Sequence, residues 1–379
     1  MQPVRLLTLS TVLFLLLTLY SSCQQREKNV LPEGVQWLQP DYSRLFLLGT
    51  AGKDSFVALR NPADTAQYLQ ILHWGQGLTP KGCTNLKNRN RIACMTAVFS
   101  GMLEVLGTET RICCTDNVRY HTGPKCRKWF AAGKIPEVMK STTLERENLL
   151  KSNPDLILTY FIEQKGKEEW NSISQLGVPV IFLQNYLENH PLARAEWIKI
   201  IGWLTGKSAE AHAYFGMVQE HYVNLVTEVS AASHHEPTVL CNAPYSGNWD
   251  VPSGGSYMAA LFRDAGADYY WKNEPGAGKI SLDIEKVYQK AKDADFWINP
   301  GACRDLNCII RADQRLELFS AVKNAGVYNA TKTQNHEGGN AWWDYAVIRP
   351  DLALRDLVHI FHPDLMNEDH DCVFFEAVK

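Results

Sequence analysis

The stretch SLDIEKVYQKAKDADFWI at residues 281–298 predicts a helix that runs into a buried strand. A second stretch, STTLERENLLKSNPDLIL at residues 141–158, has the same pattern 140 positions earlier in the chain. In both copies a serine, a glutamate, a basic residue and an aspartate occupy matching positions, followed by three apolar residues. Because helix-strand units build α/β domains, the repetition predicts two similar α/β lobes rather than a chance recurrence.

Residues 208–231 lie between the two copies and follow a different pattern. Six apolar residues recur there at spacings of three and four, which places them on one stripe of a helix: Ala211, Phe215, Val218, Tyr222, Leu225 and Val229. At 1.5 Å per residue, such a helix is roughly 36 Å long. The expected fold is therefore α/β, with two Rossmann-like lobes that each contain a mostly parallel sheet, joined by one long helix.

The chain has 379 residues, which is long enough for more than one domain. Strand-like runs on either side of a turn, AGKD at residues 51–54, predict a β-rich region ahead of the lobes. The expected division is a signal peptide over 1–22, a tether and β-rich extension over 24–82, an N-terminal lobe over 83–205, the connecting helix over 206–233 and a C-terminal lobe over 234–379.

The first residues have the features of an export signal. Arg5 precedes an apolar segment from Leu6 to Tyr20, which is shorter than the ~20 residues of a membrane-spanning helix. The sequence LYSSC that follows resembles a bacterial lipoprotein signal, and this resemblance implies that Cys23 is lipidated. The predicted location is therefore outside the cytoplasm, with a lipid anchor in a membrane. An ordinary cleaved signal peptide is the alternative.

Charge and cysteine content narrow the range of functions. The net charge of −3 provides no broad basic surface of the kind that binds nucleic acid. Beyond Cys23 the number of cysteines is odd, so at least one thiol is unpaired. Cys303 and Cys308 bracket a short loop and are the expected local disulfide, which export permits. CxxC spacing, which would indicate zinc binding or thiol redox chemistry, does not occur.

The stretch LERENLLKSNPDLIL, at residues 144–158, resembles a hallmark of the helical-backbone substrate-binding proteins of ABC importers. Two further stretches, YLENHPLARAEWIKIIGWLTGK and SGGSYMAALFRDAGADYYW, resemble a lipoprotein branch of that group. The group delivers cobalamin, ferric siderophores and haem to a permease homodimer that works with ATPase subunits. The resemblance implies the same partners for this chain, and the two-lobe fold with them.

Glu145 and Glu285 occupy equivalent positions in the two copies. Each is predicted to lie in the first turn of a helix, where the helix dipole favours a carboxylate by ~0.3–1 kcal/mol. Taken singly, either glutamate is explained by that stabilising role. The resemblance adds a second role, because in this family one glutamate on each lobe pairs with arginines of the two permease subunits. It therefore implies that Glu145 and Glu285 dock the protein onto its permease.

Ligands of this family lie in the cleft between the lobes, next to loops at the carboxyl ends of the strands, where open α/β sheets generally bind. Those loops are rich in aromatic side chains, which suit a large flat ligand. The candidate cleft residues are Tyr120, His121, Tyr160, Tyr186, Glu188, Arg194, Tyr245, Trp249, Tyr257, Arg304, His336, Trp342 and Trp343. Tyr120 or His121 is the expected axial ligand to iron if the cargo is haem. We expect no cofactor and no metal of the protein's own.

The predicted function is that of a non-enzymatic receptor, which captures an iron compound, a ferric siderophore or haem, in the cleft and presents it to the permease. Cobalamin as the cargo is the first alternative. A free-metal receptor and an exported chelatase-like enzyme, with His121 and Glu188 as proton carriers, are the others. The sequence has no GxSxG, HExxH or glycine-rich phosphate-binding motif, which argues against the enzyme.

Overall fold

The computed structural model describes residues 30–232, 235–366 and 370–379. The predicted signal peptide and the predicted lipidation site, Cys23, lie outside these residues. Within the described ranges, no helix has both the length and the apolar composition that crossing a membrane requires.

The described chain first forms a five-stranded sheet in which strands adjacent in sequence are adjacent in space. Its strands are β1 (Gln36–Leu38), β2 (Phe46–Ala51), β3 (Asp54–Asn61), β4 (Asp64–Trp74) and β5 (Thr84–Asn85). The first four pair antiparallel, and β5 runs parallel to β4. The turn predicted at AGKD is confirmed, and Gly52 adopts there a left-handed backbone conformation (φ 60°) that glycine tolerates.

The N-terminal lobe is built on a parallel sheet. Its strands are β6 (Ile92–Cys94), β7 (Ile112–Thr115), β8 (Met139–Lys140), β9 (Thr143–Leu144), β10 (Leu156–Thr159) and β11 (Val180–Phe182). The main sheet has the order β11-β10-β6-β7 and is parallel throughout, whereas β8 and β9 form a separate hairpin. The helices are α1 (Ala97–Val105), α2 (Pro124–Ala131), α3 (Arg146–Lys151), α4 (Gln164–Ser174), α5 (Pro191–Ala195) and α6 (Ile198–Thr205).

One long helix, α7 (Ser208–Ala231), follows the N-terminal lobe. Five of the six residues of the predicted apolar stripe are buried, and Leu225 packs against the core while partly exposed. The helix contacts α6 of the N-terminal lobe and the helix Pro350–Phe361 of the C-terminal lobe. This arrangement confirms the connecting helix expected from the spacing of the stripe.

The C-terminal lobe contains a second, mainly parallel sheet. The strands are β12 (Thr238–Cys241), β13 (Pro244–Tyr245), β14 (Asn248–Pro252), β15 (Asp268–Tyr269), β16 (Lys279–Leu282), β17 (Phe296–Ile298), β18 (Val327–Asn329) and β19 (Glu376–Ala377). The main sheet has the order β15-β12-β17-β18-β19, in which only the edge strand β19 is antiparallel. A small antiparallel sheet, β13-β14-β16, lies beside it, which the sequence pattern had not predicted. The helices are α8 (Tyr257–Asp264), α9 (Ile284–Ala291), α10 (Leu306–Ala312), α11 (Ser320–Lys323), α12 (Tyr345–Ile348) and α13 (Pro350–Phe361).

The aspartate of the repeated stretch hydrogen-bonds to the start of a neighbouring strand in both lobes. The carboxylate of Asp155, just before β10, accepts backbone N–H groups of Asn90 and Arg91 at 2.9 and 3.0 Å, where β6 begins. The carboxylate of Asp295, just before β17, accepts the N–H and the hydroxyl of Thr238 at 2.8 and 2.7 Å, where β12 begins. In each lobe the aspartate therefore fixes the start of the neighbouring parallel strand, and the predicted two-lobe α/β fold is confirmed.

The N-terminal sheet packs firmly on the N-terminal lobe. The carboxylate of Glu196 accepts the backbone N–H groups of Asp41, Tyr42 and Ser43 at 2.8–2.9 Å. The side-chain amide of Gln70 donates to the carbonyl oxygen of Val180 (2.7 Å) and accepts from a backbone N–H two residues later, on edge strand β11. Since an exposed sheet edge invites further pairing, this contact protects it.

Candidate ligand-binding cleft

The two lobes touch through loops that leave the carboxyl ends of their strands. The carboxylate of Asp344, in the loop region after β18, accepts the backbone N–H of Thr122 at 3.0 Å and its hydroxyl at 2.7 Å. Beside this contact, Arg127 forms an ion pair with Glu337 at 2.7 Å. Because Thr122 and Arg127 follow β7, these contacts bring the strand ends of both lobes to one cleft.

Gly339 allows the two lobes to approach each other closely. A side-chain carbon added at this glycine would lie 1.9 Å from the carbonyl oxygen of Arg119 in the opposite lobe. Since the obstacle is backbone, it cannot move aside by a change of rotamer. The loop that carries Trp342 and Trp343 therefore needs glycine at this position in order to sit against the N-terminal lobe.

The buried carboxylate at this contact has a perturbed acidity. Burial raises the pKa of Asp344 above its usual range, and the hydrogen bonds from Thr122 and from the N–H of Tyr345 oppose the increase. The contact between the lobes therefore includes a titratable group.

A cavity of about 810 Å³ opens on the C-terminal side of the cleft. It lies at the carboxyl ends of β12, β17 and β18, where Asn242, Asn299 and Asn329 line its wall. At its edge, the side chains of Tyr245 and Trp343 are 84% and 71% exposed. The volume lies within the range of sites for small molecules and cofactors, roughly 300–1,000 Å³. The cavity combines amide groups with aromatic faces, so it can hydrogen-bond and stack on one ligand.

The three asparagines of the cavity wall were not among the candidate residues that the sequence predicted. Asn242 and Asn299 directly follow a strand and have left-handed backbone conformations, with φ of 64° and 57°, which asparagine tolerates better than most residues. Their side chains hold the loops: the amide of Asn242, for example, donates to the carbonyl of Asp250 at 2.7 Å. The recurrence of an asparagine at the end of each strand was the signal that could have revealed them.

The rim of the cavity contains a charged pair and a disulfide. Lys279 and Ser281 both hydrogen-bond to the carboxylate of Asp250, and they hold its pKa below the usual range. The expected disulfide between Cys303 and Cys308 is confirmed, and Cys303 is part of the cavity wall. This covalent loop therefore shapes the opening.

Three tyrosines from the candidate set lie together at the strand ends of the N-terminal lobe. The rings of Tyr160 and Tyr186 meet edge to face with their centroids 5.8 Å apart. Partial burial of the ring raises the pKa of Tyr160, and the charges of Asp116 and Tyr120 raise it further. Tyr120 and Tyr160 are both exposed. This cluster is the aromatic surface that the N-terminal lobe contributes.

His121 is a correction to the sequence-based expectation. The side chain is fully buried (0% exposed), with Nδ1 2.6 Å from the hydroxyl of Ser100. Its Nε2 lies 2.6 Å from the hydroxyl of Thr115 and 2.8 Å from the carboxylate of Asp116. Both ring nitrogens are occupied within the lobe, so His121 is neither a cleft residue nor available as an axial ligand.

Four further candidates also lie behind the cleft surface. The carboxylate of Glu188 is buried and binds the segment that precedes β2, through the hydroxyl of Ser43 and a backbone N–H. The guanidinium of Arg194 lies 4.3 Å above the ring of Tyr257 and donates to two backbone carbonyls. Trp249 is fully buried. These side chains are fixed within the protein, which corrects the expectation that they face ligand.

The remaining candidates lie at or near the cavity. Arg304 is exposed and donates to the side chain of Gln334, a wall residue, at 2.8 Å. His336 is exposed on the loop that contains Gly339. Trp342 is part of the cavity wall, and its ring packs on Phe375, with centroids 4.9 Å apart.

The two glutamates proposed for docking differ in their surroundings. Glu145 stands at the N-terminal cap of α3, one position ahead of the helix, which corrects its expected place in the first turn. One of its carboxylate oxygens accepts from the side chain of Asn148 at 2.7 Å. Glu285 lies in the first turn of α9, is 62% exposed and forms an ion pair with Arg315. Both carboxylates are thus at the start of the corresponding helix in each lobe.

Comparison with known proteins agrees with this architecture. An uncharacterised lipoprotein from Methanocaldococcus jannaschii is 26% identical over 285 residues, which is 72% of this chain and 65% of the relative. The chain thus spans slightly less than two thirds of that relative's length.

Two solved structures share the fold. A periplasmic haem-binding protein from Pseudomonas aeruginosa has a TM-score of 0.59 at 17% identity, over 76% of this chain and 98% of the other. A possible iron-binding, periplasmic solute-binding protein from Staphylococcus epidermidis has a TM-score of 0.56 at 18% identity, over 73% of this chain and 100% of the other. Residues 92–333 match the sequence family described as periplasmic binding protein. The chain therefore belongs to the periplasmic binding protein family.

Proposed function

We propose that this protein captures an iron compound, a ferric siderophore or haem, in the cleft between its lobes and delivers it to the permease of an ABC importer. The observation that carries the proposal is the cavity of about 810 Å³ at the strand ends of the C-terminal lobe. Exposed aromatic side chains, Tyr245 and Trp343, stand at its edge. Cavities with a few convergent polar groups and aromatic walls are the usual form of a small-molecule site.

The chemistry of the walls supports a ligand that is both flat and polar. Aromatic faces bury a large apolar area at little conformational cost, and the exposed tyrosines of the N-terminal lobe add to that area. The amide groups and the Asp250–Lys279 pair offer hydrogen bonds to carbonyl, hydroxyl or carboxylate groups. With His121 buried, Tyr120 is the remaining candidate for an axial bond to haem iron. Cobalamin would use the same aromatic and amide groups, and it stays the alternative cargo.

A tryptophan-fluorescence titration of the mature domain tests the cargo. The domain is titrated with haem, a ferric siderophore and cyanocobalamin, and absorption spectra are recorded in parallel. We expect saturable quenching by one iron compound, with a Kd in the micromolar range or below. The variant Trp343→Phe should lose most of the quenching, whereas Trp170→Phe, on α4 and outside the cavity wall, should retain it.

The outcomes of this titration distinguish haem, a ferric siderophore and cobalamin as the cargo. A shifted Soret band that disappears in Tyr120→Phe would identify haem with a tyrosine ligand. Quenching by cyanocobalamin alone would replace the iron proposal with cobalamin. The absence of a response to all three compounds would contradict this set of cargoes.

We also propose that Glu145 and Glu285 dock the two lobes onto the two permease subunits, which work with ATPase subunits. The support is that both carboxylates lie at the start of the corresponding helix in each lobe. The double variant Glu145→Ala/Glu285→Ala should abolish uptake in cells while leaving the Kd for cargo unchanged. Glu147→Ala, which removes an exposed carboxylate near Glu145, is the matched control and should transport normally. A raised Kd in the double variant would instead assign these glutamates to ligand binding.

Anchoring through Cys23 completes the proposal. A receptor held at the membrane stays close to its permease, which raises the effective concentration of each for the other. In cell fractionation, the intact protein should sediment with membranes, whereas Cys23→Ser should appear in the soluble fraction. Equal distribution of the two would contradict the anchor.

A further inference from the structure

A second group of chemically reactive side chains lies on the C-terminal lobe, outside the cleft. Asp356 and His359 stand on one face of α13, three residues apart. The last described segment, residues 370–379, crosses this helix and brings His370 and Cys372 to it. One ligand atom each from Asp356, His370 and Cys372 lies within 4.8 Å of the other two.

The position of the segment is fixed by Asp356. The carboxylate accepts the backbone N–H of Val373 at 2.9 Å and that of Phe374 at 2.7 Å. Because the aspartate is fully buried, these hydrogen bonds hold the segment in one register against the helix. His370 and Cys372, immediately before the anchored residues, are therefore held beside the helix rather than free to turn away.

His359 adds an unsatisfied nitrogen to the group. Its Nδ1 is buried and has no hydrogen-bond partner among the described residues. The imidazole rings of His359 and His370 are 5.1 Å apart, centroid to centroid. A buried polar atom without a partner is unfavourable and calls for an explanation. A bound cation at this place would supply the missing partner.

Space for a cation is present. His359, His370 and Cys372 all border a cavity of about 370 Å³. The wall of this cavity shares no residue with that of the cleft cavity. In tetrahedral sites with metal–ligand bonds of about 2.0–2.3 Å, ligand atoms are about 3.5 Å apart. The ligand atoms of His370 and Cys372 lie within 4.8 Å of each other, and the ring of His359 is 5.1 Å from that of His370, centroid to centroid. Rotation of these side chains would bring the three groups to the spacing of a metal site.

We propose that His359, His370 and Cys372 bind a borderline-soft divalent cation such as Zn²⁺, with Asp356 orienting His370. Two imidazole nitrogens and a sulfur form a ligand set that suits zinc rather than calcium or magnesium, which prefer oxygen. The carboxylate of Asp356 lies 3.4 Å from Nε2 of His370, the arrangement by which carboxylates orient metal-binding histidines. When the Cys372 sulfur bonds to the cation, its thiol proton passes to solvent. Three protein ligands leave one position open to water or to a further group.

Cobalt is the probe for the test, since Co²⁺ occupies zinc sites and absorbs light. The mature protein is freed of metal with a chelator and titrated with CoCl₂. We expect one Co²⁺ per chain, a thiolate-to-cobalt charge-transfer band and intense visible bands typical of tetrahedral coordination. Addition of Zn²⁺ should remove both sets of bands by displacement.

Variants locate the site. His359→Ala and Cys372→Ser should each weaken Co²⁺ binding at least tenfold, and Cys372→Ser should also remove the charge-transfer band. His212→Ala, which removes an exposed histidine of α7, and Cys83→Ser, which removes a thiol of the N-terminal sheet, are the matched controls and should bind as the wild type does. Trp343→Ala, in the cleft, should also leave Co²⁺ binding unchanged, which separates this site from capture of cargo. Thermal unfolding establishes whether each variant is folded. If His359→Ala or Cys372→Ser does not fold, His370→Gln is measured in its place. A missing thiolate band in the wild type, or undiminished binding in the folded variants, would overturn the proposal.

Discussion

The carboxylate of Asp344 links the two lobes from a buried position, and this location determines how it responds to pH. A carboxyl group whose pKa is raised by folding binds its proton more tightly in the folded state. Its contribution to stability is therefore present at pH values below the unfolded pKa and is lost as the pH rises through the folded one. For Asp344 the change begins near the ordinary value of 3.8 and extends upward.

The variant Asp344→Asn tests this relation, because the amide does not titrate. We expect the unfolding free energy of the wild type, relative to the variant, to fall as the pH rises above about 4. The fall should be about 1.4 kcal/mol for each unit by which folding raises the pKa. Urea denaturation at several pH values measures this difference in unfolding free energy. Asp293→Asn, at an exposed aspartate of the same lobe, is the control and should show no such trend. If the difference in unfolding free energy between the wild type and Asp344→Asn did not depend on pH, Asp344 would not be a buried carboxyl that titrates with a raised pKa.

Residue types alone gave an incomplete account of the site. Tyr245 and Trp343 line the cavity, and their contact with a ligand stays a prediction. His121 and Glu188 were misplaced, because a polar residue in a loop gives no sign of whether its partners are solvent or buried hydroxyl and backbone groups. The hydrogen bonds of His121 with Ser100 and Thr115 form only when the lobe is folded.

At the scale of elements, the repeated aspartates are the clearest common feature of the lobes. Asp155 and Asp295 each hold the first residues of a neighbouring parallel strand through backbone N–H groups. Hydrogen bonds to a charged acceptor contribute roughly 1–3 kcal/mol. We expect Asp155→Ala and Asp295→Ala to lower the unfolding free energy by similar amounts, about 1–2 kcal/mol each, as measured by denaturant titration. Asp293→Ala, which breaks only a surface ion pair with Lys292, should cost less than about 1 kcal/mol. A large effect at one aspartate and none at the other would refute the equivalence.

Gln70 shows how the N-terminal sheet completes the lobe beneath it. Its amide pairs with a carbonyl and an N–H on the edge of β11, which a further strand could otherwise use. Gln70→Ala leaves a carbonyl and an N–H on that edge unpaired, so we expect a loss of about 1–3 kcal/mol. Thermal or denaturant unfolding measures it, with Gln67→Ala as the control, because Gln67 is exposed on the same strand. Equal stability of the two variants would show that the edge does not depend on the amide.

Elements with strong periodicity were predictable, and short polar ones were not. The stripe of α7 followed from the spacing of its apolar residues. The small sheet β13-β14-β16 was missed because its strands are short and contain Asp250, Lys279 and Ser281, which have little tendency to form strands. Its pairing depends on contacts with residues about thirty positions away, which local patterns do not contain.

At the scale of the molecule, the single connecting helix limits how far the lobes can separate. Helix α7 is 24 residues long and packs against elements of both lobes, and Asp344 and Gly339 add contacts across the cleft. We therefore expect cargo to bind with little change in the angle between the lobes. Small-angle scattering of the free and loaded protein should give the same radius of gyration within error. A large decrease in the radius of gyration on loading would show that the lobes close on the ligand, and it would contradict the restraint attributed to this helix.

The disulfide at the rim of the cavity makes the shape of the cavity depend on whether Cys303 and Cys308 are oxidised. Closing a loop as short as that between Cys303 and Cys308 removes unfolded-chain entropy equivalent to about 2 kcal/mol. In a reducing compartment both thiols would be free, and the segment that forms part of the cavity wall would lack this restraint. In an oxidising environment the disulfide would form, and only then would the cavity of a newly made chain acquire its finished opening.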